Sequence, residues 1–236
     1  MIRQVDSNRV VLHGVVAVVA NSRYLADTLV REGVPESQID VLLPGCPTLI
    51  LGDGSPRLVE RSESPLVSYG GRLVYSKGVS LLQDAMRELP EATLDLAGSG
   101  WQESDLRRNA PTNVTFLGQL SSSGVVSMHS AAWVSAMPSL WPEPFGLAGI
   151  EALAAGTPVV ALSRGGIPEW LQDGLGTLLG GSDRPSPQAF AAALEPYLAG
   201  PPSEETAAQL RDYASHNFGP IAFGERLLAL LSRYAA

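Results

Sequence analysis

Short, almost wholly apolar β-branched runs recur along this chain, each followed by a turn and a helical segment, and that alternation restricts the fold more than any other feature. Residues 66–69, 93–97, 114–117, 133–136 and 159–162 read as strands. They show little polar alternation, so they are expected to be covered on both faces. Between them the pattern predicts helices at 78–89, 104–109, 124–131 and 146–155. The βαβα order implies an α/β fold, a doubly wound parallel sheet with right-handed crossovers. Upstream, residues 15–20 and 39–43 read as strands flanking a helix at 23–31. Downstream come a helix at 187–198, with Ser186 as N-cap and Pro187 at the first helical position, one at 204–216, and an amphipathic segment at 223–234. The polar stretch 52–65 (GDGSPRLVERSESP) reads as a linker or variable loop.

Composition excludes several functions. The formal charge of −8 sets a field that repels a polyphosphate backbone, so no nucleic-acid partner is expected. A small anion held by a few local cations stays compatible with it. Cys46 is the only cysteine, so no intramolecular disulfide can form, which fits a reducing, cytoplasmic location. The apolar run 10–20 follows Arg3 and Arg9, and Val18 with Ala20 imitates a signal-peptidase site. His13 and Gly14 interrupt it and it is too short to span a bilayer, so it is read as a buried strand. No integral membrane segment is expected.

In such a sheet, ligands bind beyond the carboxyl ends of the strands, near helix N-termini. After the strand at 66–69 comes Gly70-Gly71-Arg72, then Lys77-Gly78 at the start of a helix. A cation gains nothing from the positive end of a helix dipole. An anion between Arg72 and Lys77, such as a diphosphate, removes the conflict; two solvated surface charges is the plainer alternative. The next strand ends in Gly98-Ser99-Gly100, but Glu103 stands where a dinucleotide fingerprint wants Gly or Ala, which argues against an NAD site. In Pro138–Gly156 (PSLWPEPFGLAGIEALAAG) a strand exits before Glu143, and a helix begins near Phe145-Gly146, with Glu151 about a turn and a half inside. Helical side chains lean back toward the N-terminus, so Glu143, the free N–H groups of Phe145, Gly146 and Leu147, and Glu151 can face one ligand. Two carboxylates suit a polyhydroxylated ligand; a dipole-serving Glu and a solvated Glu are the alternative from spacing alone.

These pieces together resemble the glycosyltransferase group 1 family of the GT-B fold. The resemblance runs from about residue 15 to 181 and includes Ala20-Asn21-Ser22, Pro44-Gly45, the loop at 71–78, and Leu96-Ala97-Gly98-Ser99-Gly100. It continues through Phe116-Leu117-Gly118, Pro138-Ser139, the Glu143/Glu151 pair, Thr157-Pro-Val-Val-Ala and Gly165-Gly166-Ile167-Pro168-Glu169. It implies the C-terminal, nucleotide-sugar-binding half of that fold at 44–236, with 1–43 a remnant of the acceptor domain. It further implies retaining transfer from a nucleotide-diphosphate sugar to an unknown acceptor, with the leaving phosphate helping to deprotonate that acceptor. Arg72 and Lys77 would hold the diphosphate, Glu143 the sugar hydroxyls, Phe145–Leu147 the sugar and phosphate, and Glu151 the ribose. Gly71 would lie along the donor, and Gly98 and Leu120 would border the base. No cofactor is expected, and no D-x-D clamp for a divalent ion occurs, so no metal ligands are assigned.

The acceptor half is incomplete, so an acceptor-domain partner chain is a further expectation, and a non-catalytic nucleotide-sugar-binding or regulatory module is the competing reading. His13, His129 and His216 are read as ordinary structural or solvated residues, and Arg164 as a loop charge. An epimerase or a phosphorylase of the same fold would need a carboxylate constellation or a cofactor lysine that cannot be assigned. No G-x-x-x-x-G-K-[ST], G-x-S-x-G or H-E-x-x-H occurs. A hydrolase built on Glu143 and Glu151 needs one raised pKa, whereas Arg72 nearby is expected to lower both.

Overall fold

The structure is a computed structural model that describes residues 15–50, 58–180 and 185–235. Arg3, Arg9, positions 10–14 of the apolar run (His13 and Gly14 included), positions 52–57 of the linker reading and Gly181 lie outside the described residues. The first elements are β1 (Val18–Ala20), α1 (Arg23–Arg31), β2 (Ile39–Val41) and the single turn α2 (Pro47–Ile50). Then follow β3 (Leu66–Gly70), α3 (Val79–Arg87), β4 (Thr93–Ala97), α4 (Glu103–Asn109), β5 (Val114–Gly118) and α5 (Ser122–Ala131). The chain continues through β6 (Val134–Met137), α6 (Leu147–Ala154), β7 (Val159–Leu162), β8 (Gly176–Leu179), α7 (Pro187–Leu198), α8 (Glu204–Phe218) and α9 (Pro220–Ser232).

β1 and β2 pair with each other, and β3 to β8 form one all-parallel sheet in the order β5-β4-β3-β6-β7-β8. Strand order reverses between β3 and β6, which opens a crevice at the carboxyl ends of those two strands. Each sheet face carries its own core. One gathers Leu82, Met86, Leu94, Phe190 and Leu194; the other gathers Phe145, Ile150, Trp170, Leu210 and Phe218. Every residue of β6 and β7 is buried, as expected of central strands whose one polar residue is Ser135.

Local chemistry sets several boundaries. Ser22, Ser121, Ser186 and Ser203 accept from the N–H groups of Leu25, Gly124, Ala189 and Thr206, capping α1, α5, α7 and α8. The Ser121 cap starts α5 two residues before the predicted 124, and Pro220 at its first position starts α9 before the predicted 223.

Three expectations are corrected. The strand at 114–117 is not covered on both faces: β5 is the sheet edge and leaves Thr115 and Leu117 exposed. The strand expected at 15–20 shortens to three residues and is only partly buried, with Val16 75% and Val19 51% exposed, because among the described residues its one sheet neighbour is β2. The second half of the supposed linker is a fixed strap. Arg61 fans its guanidinium onto the carbonyls of Ser130, Ala132 and Gly156 and onto Thr157 Oγ1, while Trp133 Nε1 donates to Ser62 O at 2.8 Å. β8 was not expected: four residues beginning at a glycine give too short a pattern to read, and pairing with β7 makes the strand.

Candidate active site

The crevice at the strand reversal holds two adjoining cavities that share Gly70, Gly71, Arg72 and Ala148. The larger, about 360 Å³, is walled by the loop after β3 through Arg72 and Lys77 and by the loop after β6 through Ser139, Glu143, Phe145, Gly146 and Leu147. The smaller, about 320 Å³, adds Gly98, Ser99, Gln119, Leu120 and Glu151. Every site residue singled out from the sequence therefore lines one crevice, although the strands that carry them come from distant parts of the chain. Arg164 lines neither cavity.

The backbone that makes this convergence possible depends on glycine. Gly98 takes φ +134°, and a Cβ there would lie 1.8 Å from the carbonyl oxygen of Gly71, so the loops after β3 and β4 touch only because no side chain intervenes. That contact gives the Gly98-Ser99-Gly100 turn a packing role while Gly98 also faces the cavity. Gly146 enters α6 at φ +95° without a side-chain cap, which turns the start of the helix toward the crevice. The helix begins at Leu147, and Glu151 is its fifth residue.

Charge is distributed unevenly. Glu143 is 6% exposed, and its Oε1 accepts from Lys77 Nζ and from Ser139 Oγ, each at 2.5 Å. Lys77, expected to face a diphosphate, is thus paired with the carboxylate that was expected to face a sugar. Arg72 is exposed, and its guanidinium makes no hydrogen bond or ion pair with the described residues. Its carbonyl accepts from the Tyr69 hydroxyl at 3.0 Å, which braces the loop from below. Burial and the charge of Glu143 push the Tyr69 phenol well above its usual range, so it stays a neutral donor.

Glu151 differs from Glu143 in having no ion pair or hydrogen bond with the described residues. Burial raises its carboxyl to about 7. The expectation that Arg72 lowers both carboxyls therefore fails at Glu151, where lost hydration outweighs the cation. His129 is structural, as expected: fully buried, held down to about 4 by burial, with Nδ1 at 2.9 Å from Ser68 Oγ under the crevice floor. His216 is an exposed residue of α8. Among the described residues, no group of three or more His, Cys, Asp or Glu could hold a metal ion, and no helix is long and apolar enough to cross a membrane.

Sequence reading assigned no role to Tyr69, Ser139, Gln119 or Asn21. Ser139 had a usable signal, since it stands between a strand end and Glu143. Asn21 had a weaker one, its place directly after a predicted strand in Ala20-Asn21-Ser22, but β1 lies outside the main sheet and nothing local shows that it reaches the cavity.

Known proteins resemble this chain in sequence and fold. The family described as "Glycosyl transferases group 1" matches residues 55–217. A GDP-mannose-dependent monoacylated alpha-(1-6)-phosphatidylinositol monomannoside mannosyltransferase of Corynebacterium glutamicum is 38% identical over 133 residues, which cover 51% of this chain and 35% of that protein. The D-inositol 3-phosphate glycosyltransferase of Corynebacterium kroppenstedtii is 34% identical over 205 residues, covering 75% of this chain and 44% of the relative. The chain thus spans less than half the length of these relatives. Among solved structures, sucrose-phosphate synthase from Thermosynechococcus elongatus superposes with TM-score 0.79 at 25% identity, over 99% of this chain and 62% of that one. The Anabaena protein HepE in complex with UDP and glucose gives TM-score 0.73 at 23% identity, over 92% of this chain and 63% of that one.

Proposed function

This chain belongs to the glycosyltransferase group 1 family, and from that premise we propose that it binds a nucleotide-diphosphate sugar and supplies the donor half of a retaining, metal-independent transfer. The observation that carries the reading is the single crevice in which Arg72, Lys77 and Glu143 stand at one end and Gly98, Leu120 and Glu151 at the other. Its length suits an extended ligand with a sugar, a diphosphate and a nucleoside in series. The mannosyltransferase relative is named for GDP-mannose, and the HepE structure contains UDP and glucose, so the ligand class agrees with both while the base stays open.

Each residue has a chemical task. Arg72, free of protein partners among the described residues, meets the diphosphate and neutralises charge that grows as the bond from the anomeric carbon to phosphate oxygen breaks. Lys77 is already held beside Glu143 and adds a second positive charge at the same end. Two cations there do the work a divalent ion does elsewhere. Glu143 has its Oε1 saturated by Lys77 and Ser139, which leaves Oε2 to accept sugar hydroxyls. The start of α6, around Phe145, Gly146 and Leu147, offers backbone N–H groups to sugar and phosphate oxygens. Glu151 grips the ribose. The acceptor oxygen attacks the face the diphosphate leaves, and its proton passes to the departing phosphate.

The donor-binding domain spans 44–236 in this reading, and 1–43 closes a preceding acceptor-binding domain. Among the described residues β1 pairs with β2 alone, and Val16 and Val19 are open to solvent, which supports an acceptor half from the rest of a longer protein or from a partner chain. Calorimetric titration of UDP, GDP and ADP and their sugars, each with EDTA and with Mg²⁺, tests the proposal. One base should bind at micromolar affinity with no need of Mg²⁺. Binding of none would overturn the donor reading, and binding only with Mg²⁺ would overturn metal independence.

A further inference from the structure

Asn21 follows β1 and precedes α1, so it belongs to the two-stranded unit, yet it lines the larger cavity beside Lys77 and Glu143. Its Oδ1 is shut away from solvent and has no hydrogen-bond partner in the described residues. Leaving a buried amide oxygen unsatisfied costs about 1–3 kcal/mol, and folded proteins keep few such groups without a use.

The backbone beside it is also held in place. Ser22 Oγ accepts from Leu25 N–H at 3.0 Å, and the Glu169 carboxylate accepts from the N–H groups of Arg23 and Tyr24 at 2.8 and 2.7 Å. The start of α1 is therefore pinned from both its own chain and the turn after β7. Gly166 fills the space between: a Cβ there would come within 2.6 Å of Pro144 O and 3.1 Å of Ser22 Cβ. The Gly166 N–H donates to Glu143 O at 2.8 Å. Asn21, Ser22, Gly166 and Glu143 thus form one continuous stack, which fixes Asn21 relative to the carboxylate.

We propose that Asn21 is a specificity-determining contact for the transferred sugar, its amide turning toward hydroxyls of the hexose that Glu143 also holds. This rests on the donor reading above. An ionised carboxylate only accepts hydrogen bonds, whereas an amide presents an acceptor and two donors in one plane. The two together read the direction of hydroxyls that Glu143 alone cannot tell apart. Asn21 lines the cavity of Glu143 and Lys77 and not the one of Gly98, Leu120 and Glu151, so it meets the sugar and leaves the nucleoside alone.

The test compares the free nucleoside diphosphate with its hexose conjugate by calorimetry, on the full chain and on Asn21→Ala and Asn21→Asp. Asn21→Ala should weaken the sugar conjugate about 10-fold, one hydrogen bond's worth, while the free diphosphate changes less than 2-fold. Asn21→Asp keeps the shape, removes both N–H donors, and should show the same split if the alanine variant fails to fold. Donors lacking single ring hydroxyls should include one whose affinity no longer responds to Asn21→Ala. Equal weakening of both ligands, or of neither, would overturn the role of Asn21. A native chain that binds the diphosphate but gains nothing from the hexose would overturn it too, with the nucleotide reading intact. A native chain that binds neither would bring down the donor reading and this inference with it.

Discussion

Glu143 and Glu151 are the same residue type, eight positions apart, on two sides of one crevice, and the fold treats them in opposite ways. Glu143 is the more deeply buried, yet Lys77 and Ser139 both donate to it. Glu151 has no such partner, and burial raises its carboxyl to about 7. The Glu143 end of the crevice is thus organised before any ligand arrives, while the Glu151 end carries a partly desolvated group that a ligand's hydroxyls would relieve. Preorganisation of this kind favours groups that act where charge develops; an unrelieved group favours binding.

The largest expected effect breaks the organised end. Lys77→Met leaves the Glu143 carboxylate buried without its cation, and removing one partner of a buried pair costs about 3–5 kcal/mol. Urea unfolding should show that loss, and adding Glu143→Gln should restore most of it without restoring transfer. An unchanged midpoint in Lys77→Met would mean that Ser139 and solvent suffice, and the contrast between the two carboxyls would collapse.

Next comes the charged residue common to both cavities. Arg72→Ala should slow single-turnover transfer by about 10²–10³-fold, as for loss of one transition-state donor, while donor affinity falls far less. Stability should stay within about 0.5 kcal/mol, since the side chain is exposed and unpaired among the described residues. Equal losses in affinity and rate would make Arg72 a binding group only.

The smallest effect concerns Glu151. A carboxyl raised to about 7 in the folded chain against 4.5 ordinarily is one the fold prefers protonated. Its cost is absent below about pH 4.5 and grows until pH passes about 7, so native stability declines across that window. Glu151→Gln removes the penalty and should raise the stability of the ligand-free chain at pH 8 by at most about 3 kcal/mol, with little gain at pH 4.5. The same change should weaken nucleoside diphosphate binding. Parallel pH-stability curves for the two proteins would contradict the buried, unpaired placement of Glu151.

Much of this was legible in the sequence, for local reasons. Gly70-Gly71-Arg72 and Gly98-Ser99 stand at strand ends because glycine allows the turn and the close approach, and Ser186 caps its helix through the next few N–H groups. Four-residue β8 and the strap formed by Arg61 escaped notice because each is made by partners far along the chain.

Sequence by itself determined the alternation of strands and helices, hence a parallel sheet, and the chemical types placed at its strand ends. Only the tertiary structure decided that Lys77 pairs with Glu143, that Glu151 is left half-buried with no partner among the described residues, and that Asn21 enters the crevice from a separate strand pair. Those outcomes depend on burial and on contacts between residues far apart in sequence, such as Arg23 and Glu169, 146 positions apart. A side chain's hydration and charge partners are properties of the space around it, and that space exists only once the chain has folded.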